Sequence, residues 1–163
     1  MLYIPNNASY LLRFFALSKG DGMNKTKFVE WDSQYSIGVP EIDKQHKKLM
    51  KILNDTIKHS NGNKIDEKKY FDKTRKKAEQ YLKKHFETEE IILSKTKYEK
   101  LEAHKAEHDK FYAEIKKINE EIDNNTREIN LFSSTAYIKE WLLNHIKNFD
   151  KKADKYIMEW AKS

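Results

Sequence analysis

Apolar residues recur along this sequence at alternating steps of three and four, the spacing that gathers side chains on one face of an α-helix. Polar turns at Asn61-Gly62 and at residues 123–126 interrupt the pattern. We predict four helices: from about Glu41 to His59, from an Asp66 cap to about Ser94, from a capping box of Thr96 and Glu99 to Ile122, and from about Ile129 onward. Residues 151–163 either prolong the fourth helix or form a short terminal one.

Each predicted helix has one apolar stripe, and four such helices can bury their stripes by packing around a common axis. The pattern therefore predicts an all-α fold, an up-down antiparallel four-helix bundle formed by residues 23–163. Residues 1–22 are predicted to be an N-terminal appendage, either flexible or a short helix. Their apolar run, residues 10–18, is much shorter than the roughly 20 residues that span a bilayer. An amphipathic helix that touches a membrane or a partner is the alternative interpretation.

The composition favours long, solvated helices. Of the 163 residues, 38% are hydrophobic and 36% are charged, with only four Gly and two Pro. The net charge of +6 comes from Lys interleaved with acidic residues, and Arg occurs only at positions 13, 75 and 127, so we expect no nucleic-acid partner. The absence of Cys excludes disulfides, thiolate metal sites and a cysteine nucleophile, and it is consistent with a cytoplasmic location.

The positions of the histidines are the strongest sign of chemistry in the chain. Five of the six fall on the predicted apolar stripes, and two carboxylates accompany them. Imidazole is a good ligand for iron, copper and zinc, and a carboxylate can bridge two cations. Five imidazoles and two carboxylates are too many ligands for one ordinary ion, and they suit two. The candidate ligands are His46, His85, Glu89, His104, His108, His145 and Asp150.

A histidine on an apolar stripe is more often a hydrogen-bonded core residue than a metal ligand. Ligand-type residues nevertheless occur on all four apolar stripes. A shared metal site explains this better than four unrelated core histidines or carboxylates. Asp150 is the weakest candidate, because a residue five positions after His145 is rotated by about 140° from it on a regular α-helix. Spacing alone makes Asp150 a solvated residue at a helix end. His59 points away from the stripe of its helix and is predicted to lie at the surface.

The order of these residues is a specific motif: H, then HxxxE, then HxxxH, then HxxxxD, with fifteen residues from Glu89 to His104. The same motif includes Trp31, Ile37-Gly38-Val39, Ile42-Asp43-Lys44-Gln45-His46, His85-Phe86-Glu87-Thr88-Glu89-Glu90, His104-Lys105-Ala106-Glu107-His108 and Trp141-Leu142-Leu143-Asn144-His145-Ile146. With these residues the chain resembles the hemerythrin family, and specifically the bacterial hemerythrins, over about residues 28–150.

The resemblance implies a non-haem di-iron site in the core of the bundle. One iron would be held by three histidines and the other by two, with two carboxylates and a solvent-derived oxygen bridging the pair. The second iron would keep an open position, at which O2 binds reversibly in this family. Carried onto this sequence, the first group is His104, His108 and His145, the second is His46 and His85, and the bridging residues are Glu89 and Asp150.

The expected function is reversible O2 binding for storage, delivery or buffering, without enzymatic turnover. Two alternatives remain open: an O2 or redox sensor that acts through a partner, and a di-iron enzyme that acts on O2, peroxide or nitric oxide. O2 is the expected partner. The sequence leaves the oligomeric state open, and a monomer is compatible with it.

Overall fold

A computed structural model of the protein describes residues 27–124 and 131–162. All regular structure in these two ranges is helical, which confirms the predicted all-α fold. The predicted appendage at residues 1–22 and the predicted start of the fourth helix at Ile129 lie outside these ranges. A 3-10 turn spans Ser33–Tyr35, and the helices are α1 (Pro40–His59), α2 (Lys64–Lys95), α3 (Leu101–Asp123), α4 (Leu131–His145) and α5 (Lys151–Trp160).

Helices α1 to α4 form the predicted up-down bundle. Helix α1 packs against α2 and α4, and α2 packs against α3. Short links, residues 60–63 and 96–100, join α1 to α2 and α2 to α3, so these consecutive helices run antiparallel. One π-helical turn, Ile146–Asp150, joins α4 directly to α5, so residues 151–160 prolong the fourth helix beyond an irregularity. In the two described ranges, no helix combines the length and the apolar character that crossing a membrane requires.

Two of the predicted helix caps are wrong. The cap of α2 is Asn63, whose side chain accepts hydrogen bonds from the N–H groups of Ile65 and Asp66, so Asp66 lies inside the first turn. The predicted capping box of Thr96 and Glu99 does not form, and α3 begins at Leu101 without a side-chain cap. The reason is that the Thr96 hydroxyl donates back to carbonyls in the last turn of α2 and so stays bonded to the preceding helix.

Apolar residues from four parts of the chain close the end of the bundle at which α2 stops and α3 starts. Helix α5 contributes one face to this cluster, and the segment before α1 contributes another. Removal of this apolar surface from water stabilises the arrangement. The buried members are Ile37, Val39, Ile42, Ile92, Leu93, Tyr98, Ala153 and Ile157.

The segment before α1 is held in place by polar contacts. The Asp43 carboxylate accepts hydrogen bonds from the Ile37 N–H (2.9 Å) and the Ser36 hydroxyl, and Lys151 Nζ donates to the Ser36 carbonyl. Gly38 has a φ of +78°, and a Cβ atom at this position would lie 2.9 Å from Met158 Sδ. The backbone conformation therefore disfavours a side chain at position 38, and Met158 would also have to move to admit one.

A buried carboxylate fastens the opposite end of the bundle. Glu67 is 3% exposed, and its oxygens accept hydrogen bonds from the N–H of Gly62 (2.9 Å) and the N–H of Leu131 (3.2 Å). Glu67 thus ties the turn before α2 to the first residue of α4. The sequence pattern gave no sign of this role, because Glu67 lies among charged residues in the first turn of a helix.

Replacement of Glu67 by alanine is expected to lower the free energy of unfolding by about 2 kcal/mol, because two N–H groups lose their acceptor. Glu67→Gln keeps one carbonyl acceptor and is expected to lose about half as much. Urea denaturation followed by circular dichroism measures both. Glu120 pairs with Lys116 across 3.8 Å at the surface, and Glu120→Ala should change stability by less than about 0.5 kcal/mol. Equal losses in the Glu67→Ala and Glu120→Ala proteins would contradict the role of Glu67.

Candidate metal centre

All four helices of the bundle contribute ligand-type side chains to one buried cluster. His46 lies on α1, His85 and Glu89 lie on α2, His104 and His108 lie on α3, His145 ends α4, and Asp150 ends the π-turn. Each of these seven residues is at most 2% exposed. The structure therefore brings together every candidate ligand named from the sequence.

His59 lies outside the cluster, as predicted. It is exposed at the end of α1, its Nδ1 lies 2.7 Å from the Asp55 carbonyl oxygen, and its ring stacks on Tyr70 at 3.8 Å. It is therefore a natural control for substitutions in the cluster.

The π-turn explains how Asp150 reaches the cluster. A π-turn links residues five apart, whereas an α-helix links residues four apart, so each π-turn accommodates one additional residue. The extra residue brings position 150 back to the face that His145 occupies. Asp150 is fully buried, and its Oδ1 lies 3.1 Å from His145 Nε2. The expectation from spacing alone, that Asp150 is a solvated residue at a helix end, is therefore wrong.

Three imidazoles form the first half of the cluster. Glu89 Oε2 lies 3.6 Å from His104 Nε2 and 3.4 Å from His108 Nε2. Asp150 Oδ1 lies 3.4 Å from His104 Nε2. The Nε2 atoms of His108 and His145 are 2.9 Å apart. Three ring nitrogens and one oxygen of Glu89 thus lie within 4.8 Å of one another, and Asp150 Oδ1 lies beside two of the three rings.

Two imidazoles form the second half. Glu89 Oε1 lies 3.5 Å from His46 Nε2 and 3.5 Å from His85 Nε2. Asp150 Oδ2 lies 3.3 Å from His46 Nε2. Glu89 and Asp150 therefore each direct one oxygen toward the group of three histidines and the other oxygen toward the group of two.

The donor atoms are spaced as ligands of a common cation would be. Octahedral ligands with metal bonds of about 2.1 Å are separated by about 3 Å along each edge, close to the distances in both halves. Most of these atoms also lack a hydrogen-bond partner within the described residues, and buried polar groups without partners are costly. Nitrogen and oxygen donors of this kind suit iron. Atoms without partners include His46 Nε2, His104 Nε2, Glu89 Oε1 and Oε2, and Asp150 Oδ1 and Oδ2.

The two carboxylates are ionised in this environment. Burial raises the pKa of Glu89, but the imidazoles, His85 first, outweigh burial and hold this pKa well below the ordinary range. Burial and the charge of Glu89 raise the pKa of Asp150, but His145 and His46 lower it by more, so the pKa of Asp150 is below its ordinary value. Burial lowers the pKa of His46, yet Asp150 and Glu89 raise it to about 10. Burial lowers the pKa of His85 to about 4. Both carboxylates thus have the charge that a cation requires.

Two residues outside the predicted set orient the imidazoles. His85 Nδ1 donates to Gln45 Oε1 at 2.9 Å, and His108 Nδ1 donates to Glu90 Oε1 at 2.9 Å. These hydrogen bonds leave each Nε2 lone pair directed into the cluster. Gln45 and Glu90 each adjoin a candidate ligand in sequence, His46 and Glu89. Neighbouring helical residues project about 100° apart, so Gln45 and Glu90 face an adjacent helix while His46 and Glu89 face the core. Their position next to a candidate ligand is the sequence signal that could have indicated this role.

Aromatic rings pack against the imidazoles of the first half. Phe86 stacks on His108 with ring centroids 3.9 Å apart, and Phe149 stacks on His145 at 5.1 Å. Trp141 lies on His145 at 4.6 Å. The rings restrict the orientation of the imidazoles and exclude water from their faces.

Glu90 is expected to strengthen metal binding although it does not enter the cluster. Glu90→Ala should weaken iron binding about 10- to 100-fold, because His108 loses the acceptor that fixes its tautomer and orientation. Competition with a chromophoric chelator measures the affinity. Glu87 is three residues away on the same helix and pairs at the surface with Lys83, so Glu87→Ala is the matched control. Equal affinities in the Glu90→Ala and Glu87→Ala proteins would show that Glu90 has no supporting role.

The fold and the cluster together define a four-helix-bundle protein with a histidine- and carboxylate-rich metal-type centre. The family model of the hemerythrin HHE cation binding domain matches residues 37–153, and the chain belongs to this family. The resemblance drawn from the sequence motif is therefore confirmed.

Individual relatives agree with this assignment. The chain is 29% identical over 122 residues to a hemerythrin-like protein of Naegleria gruberi, a match that covers 75% of this chain and 87% of the relative. It is 30% identical to a bacteriohemerythrin of Methylococcus capsulatus, with coverage of 73% and 88%. A crystal structure of wild-type hemerythrin is similar with a TM-score of 0.70 and 27% identity, over 80% of this chain and 98% of that one.

Proposed function

We propose that the protein binds O2 reversibly at two iron ions held by this cluster, in storage, delivery or buffering. The proposal rests on the unequal division of the imidazoles between two points that share both carboxylates. One side has three imidazoles and two carboxylate oxygens, and the other has two imidazoles and two carboxylate oxygens. The side with fewer protein donors leaves more room for a small exogenous molecule.

The proposed ligand set follows the two halves of the cluster. One iron would be held by the three histidines of the first half and the other by the two histidines of the second half, with both carboxylates shared. When bound, the iron pair supplies electrons that O2 can accept and return. The assignment is His104, His108 and His145 for the first ion, His46 and His85 for the second, and Glu89 and Asp150 for the bridges.

The protein itself contributes orientation and the exclusion of water. The seven ligand-type residues are buried, and apolar residues near them in sequence, Ile42, Phe86 and Ile146, are at most 5% exposed. A dry site disfavours the side reactions that would make O2 binding irreversible. Gln45 and Glu90 hold two of the imidazoles in place before any ligand arrives. The names of the relatives, hemerythrin and bacteriohemerythrin, support the same conclusion.

The test is a cycle of oxygenation and deoxygenation. Protein loaded anaerobically with ferrous iron is expected to take up about one O2 per iron pair, with a new visible absorption band. Argon purging should remove the band without added reductant, and repeated cycles should retain most of its amplitude. Sustained O2 consumption with a reductant present, at roughly 1 per second or faster, would instead indicate an enzyme.

A further inference from the structure

A cavity of about 160 Å³ lies between α1, α2, α3 and α4. It runs from Ile118 and Leu131, toward the end of the bundle that Glu67 fastens, to Phe111, Trp141 and Leu142 beside the histidine cluster. The cavity does not include any of the seven ligand-type residues. It is therefore distinct from the candidate metal centre, which it adjoins at one end, and it is partly open to solvent.

We propose that this cavity is a second ligand site, which takes a small uncharged hydrocarbon of about the size of benzene. A cavity of about 150 Å³ with apolar walls remains dry and admits benzene or xenon. The volume here is similar, and most of the wall is aliphatic or aromatic. The proposal does not depend on O2 binding at the candidate metal centre.

The three threonine hydroxyls in the wall have partners within the protein. The hydroxyls of Thr56, Thr74 and Thr135 each donate to the backbone carbonyl one turn earlier in their own helix. A buried water molecule requires two to four polar partners, and these hydroxyls have already committed their hydrogens. An apolar occupant is therefore favoured over water.

Two further polar contacts lie in the wall. Arg75 forms an ion pair of 2.7 Å with Asp123, and Asn119 donates to Glu79. Both contacts join α2 to α3. An anion would have to displace Asp123 from Arg75, and any ion would have to leave water for a wall that is mostly apolar, so the occupant is uncharged.

Trp141 connects the cavity to the candidate metal centre. Its ring lines the cavity, stacks on Phe111 at 3.8 Å and stacks on His145 at 4.6 Å. An occupant of the cavity therefore touches a ring that also touches a ligand-type imidazole. The fluorescence of Trp141 is expected to report occupancy.

The experiment is a calorimetric titration of benzene into the iron-loaded protein. We expect one site with a dissociation constant of about 1 mM or lower, which is within the range for six heavy atoms in an apolar pocket. Ala78 lines the cavity, and Ala78→Leu fills part of it. This variant should bind benzene at least tenfold more weakly. Ala113 is exposed on α3, so Ala113→Leu makes the same change outside the cavity and should bind as the wild type does.

Two further measurements keep the result decisive. Ser134→Leu fills the cavity from α4 and replaces Ala78→Leu if that protein does not fold. Iron content and tryptophan emission are measured for every protein. Benzene should change the emission of the wild type and of Ala113→Leu, with iron content equal in all the proteins. Failure of the wild type to bind benzene, or unchanged binding in the filled variants, would overturn the proposal.

Discussion

The Glu89→Ala protein is expected to hold no more than one iron ion per chain, whereas the wild type is expected to hold two. Glu89 directs one oxygen toward each half of the cluster, so its removal takes a donor from both points at once. It also removes one of the two negative charges that offset the cations. Elemental analysis after anaerobic reconstitution and gel filtration measures the content.

Two further variants separate the halves of the cluster. His46→Ala removes a donor from the second half only and is expected to leave one iron, held by the three histidines opposite. His59→Ala changes an exposed histidine outside the cluster and should leave two. One zinc and no iron, after both metals are offered anaerobically, would contradict the di-iron assignment. Equal iron loss in all three variants would mean that the loss comes from damage to the fold.

Removal of iron is expected to lower the melting temperature by about 8–16 °C. Metal that binds the native state alone stabilises it by roughly 4 kcal/mol at a thousandfold excess over the dissociation constant, and each kcal/mol is worth about 2–4 °C in a chain of this size. The physical source is the set of buried nitrogen and oxygen atoms that have no other partner in the described residues. Thermal unfolding with and without chelator measures the shift.

The same experiment on Glu89→Ala provides the comparison. This variant has less metal to lose, so chelation should shift its melting temperature by less than half of the wild-type value. A cluster that folds equally well without cations would show superimposable curves for loaded and chelated wild type, and the stabilising role of the metal would then be wrong.

Most of the fold could be predicted from the sequence, because a helix that buries one face has apolar residues at alternating steps of three and four, and this spacing is visible in a single sequence. His46, His85 and His104 could be assigned to a common interior for the same reason. Asp150 could not, since the rule of about 100° per residue assumes an uninterrupted α-helix, and the π-turn at Ile146–Asp150 breaks it. Spacing made Asp150 the weakest candidate, and only the resemblance to a family supported its place in the set.

The features that sequence reasoning missed depend on contacts between helices. Thr96 and Glu99 have the residue types of a capping box, but the Thr96 hydroxyl is bonded to the preceding helix. Gln45 and Glu90 are ordinary surface residue types, and their roles arise from the neighbouring helix that each one faces. The cavity beside Trp141 likewise depends on how closely four helices approach, which no local pattern encodes.

The extra residue in the π-turn also sets the phase of everything that follows it. In an unbroken α-helix, Asp150, Ala153 and Ile157 would all be turned by about 100° relative to where they are now. Ala153 and Ile157 are fully buried against the segment before α1 and the end of α2. The π-turn therefore sets both the direction of the Asp150 carboxylate and the face of α5 that packs against the rest of the bundle. Loss of the π-turn at constant chain length would expose an apolar surface and withdraw an anion together, whereas deletion of one residue that restores a regular α-helix would preserve both.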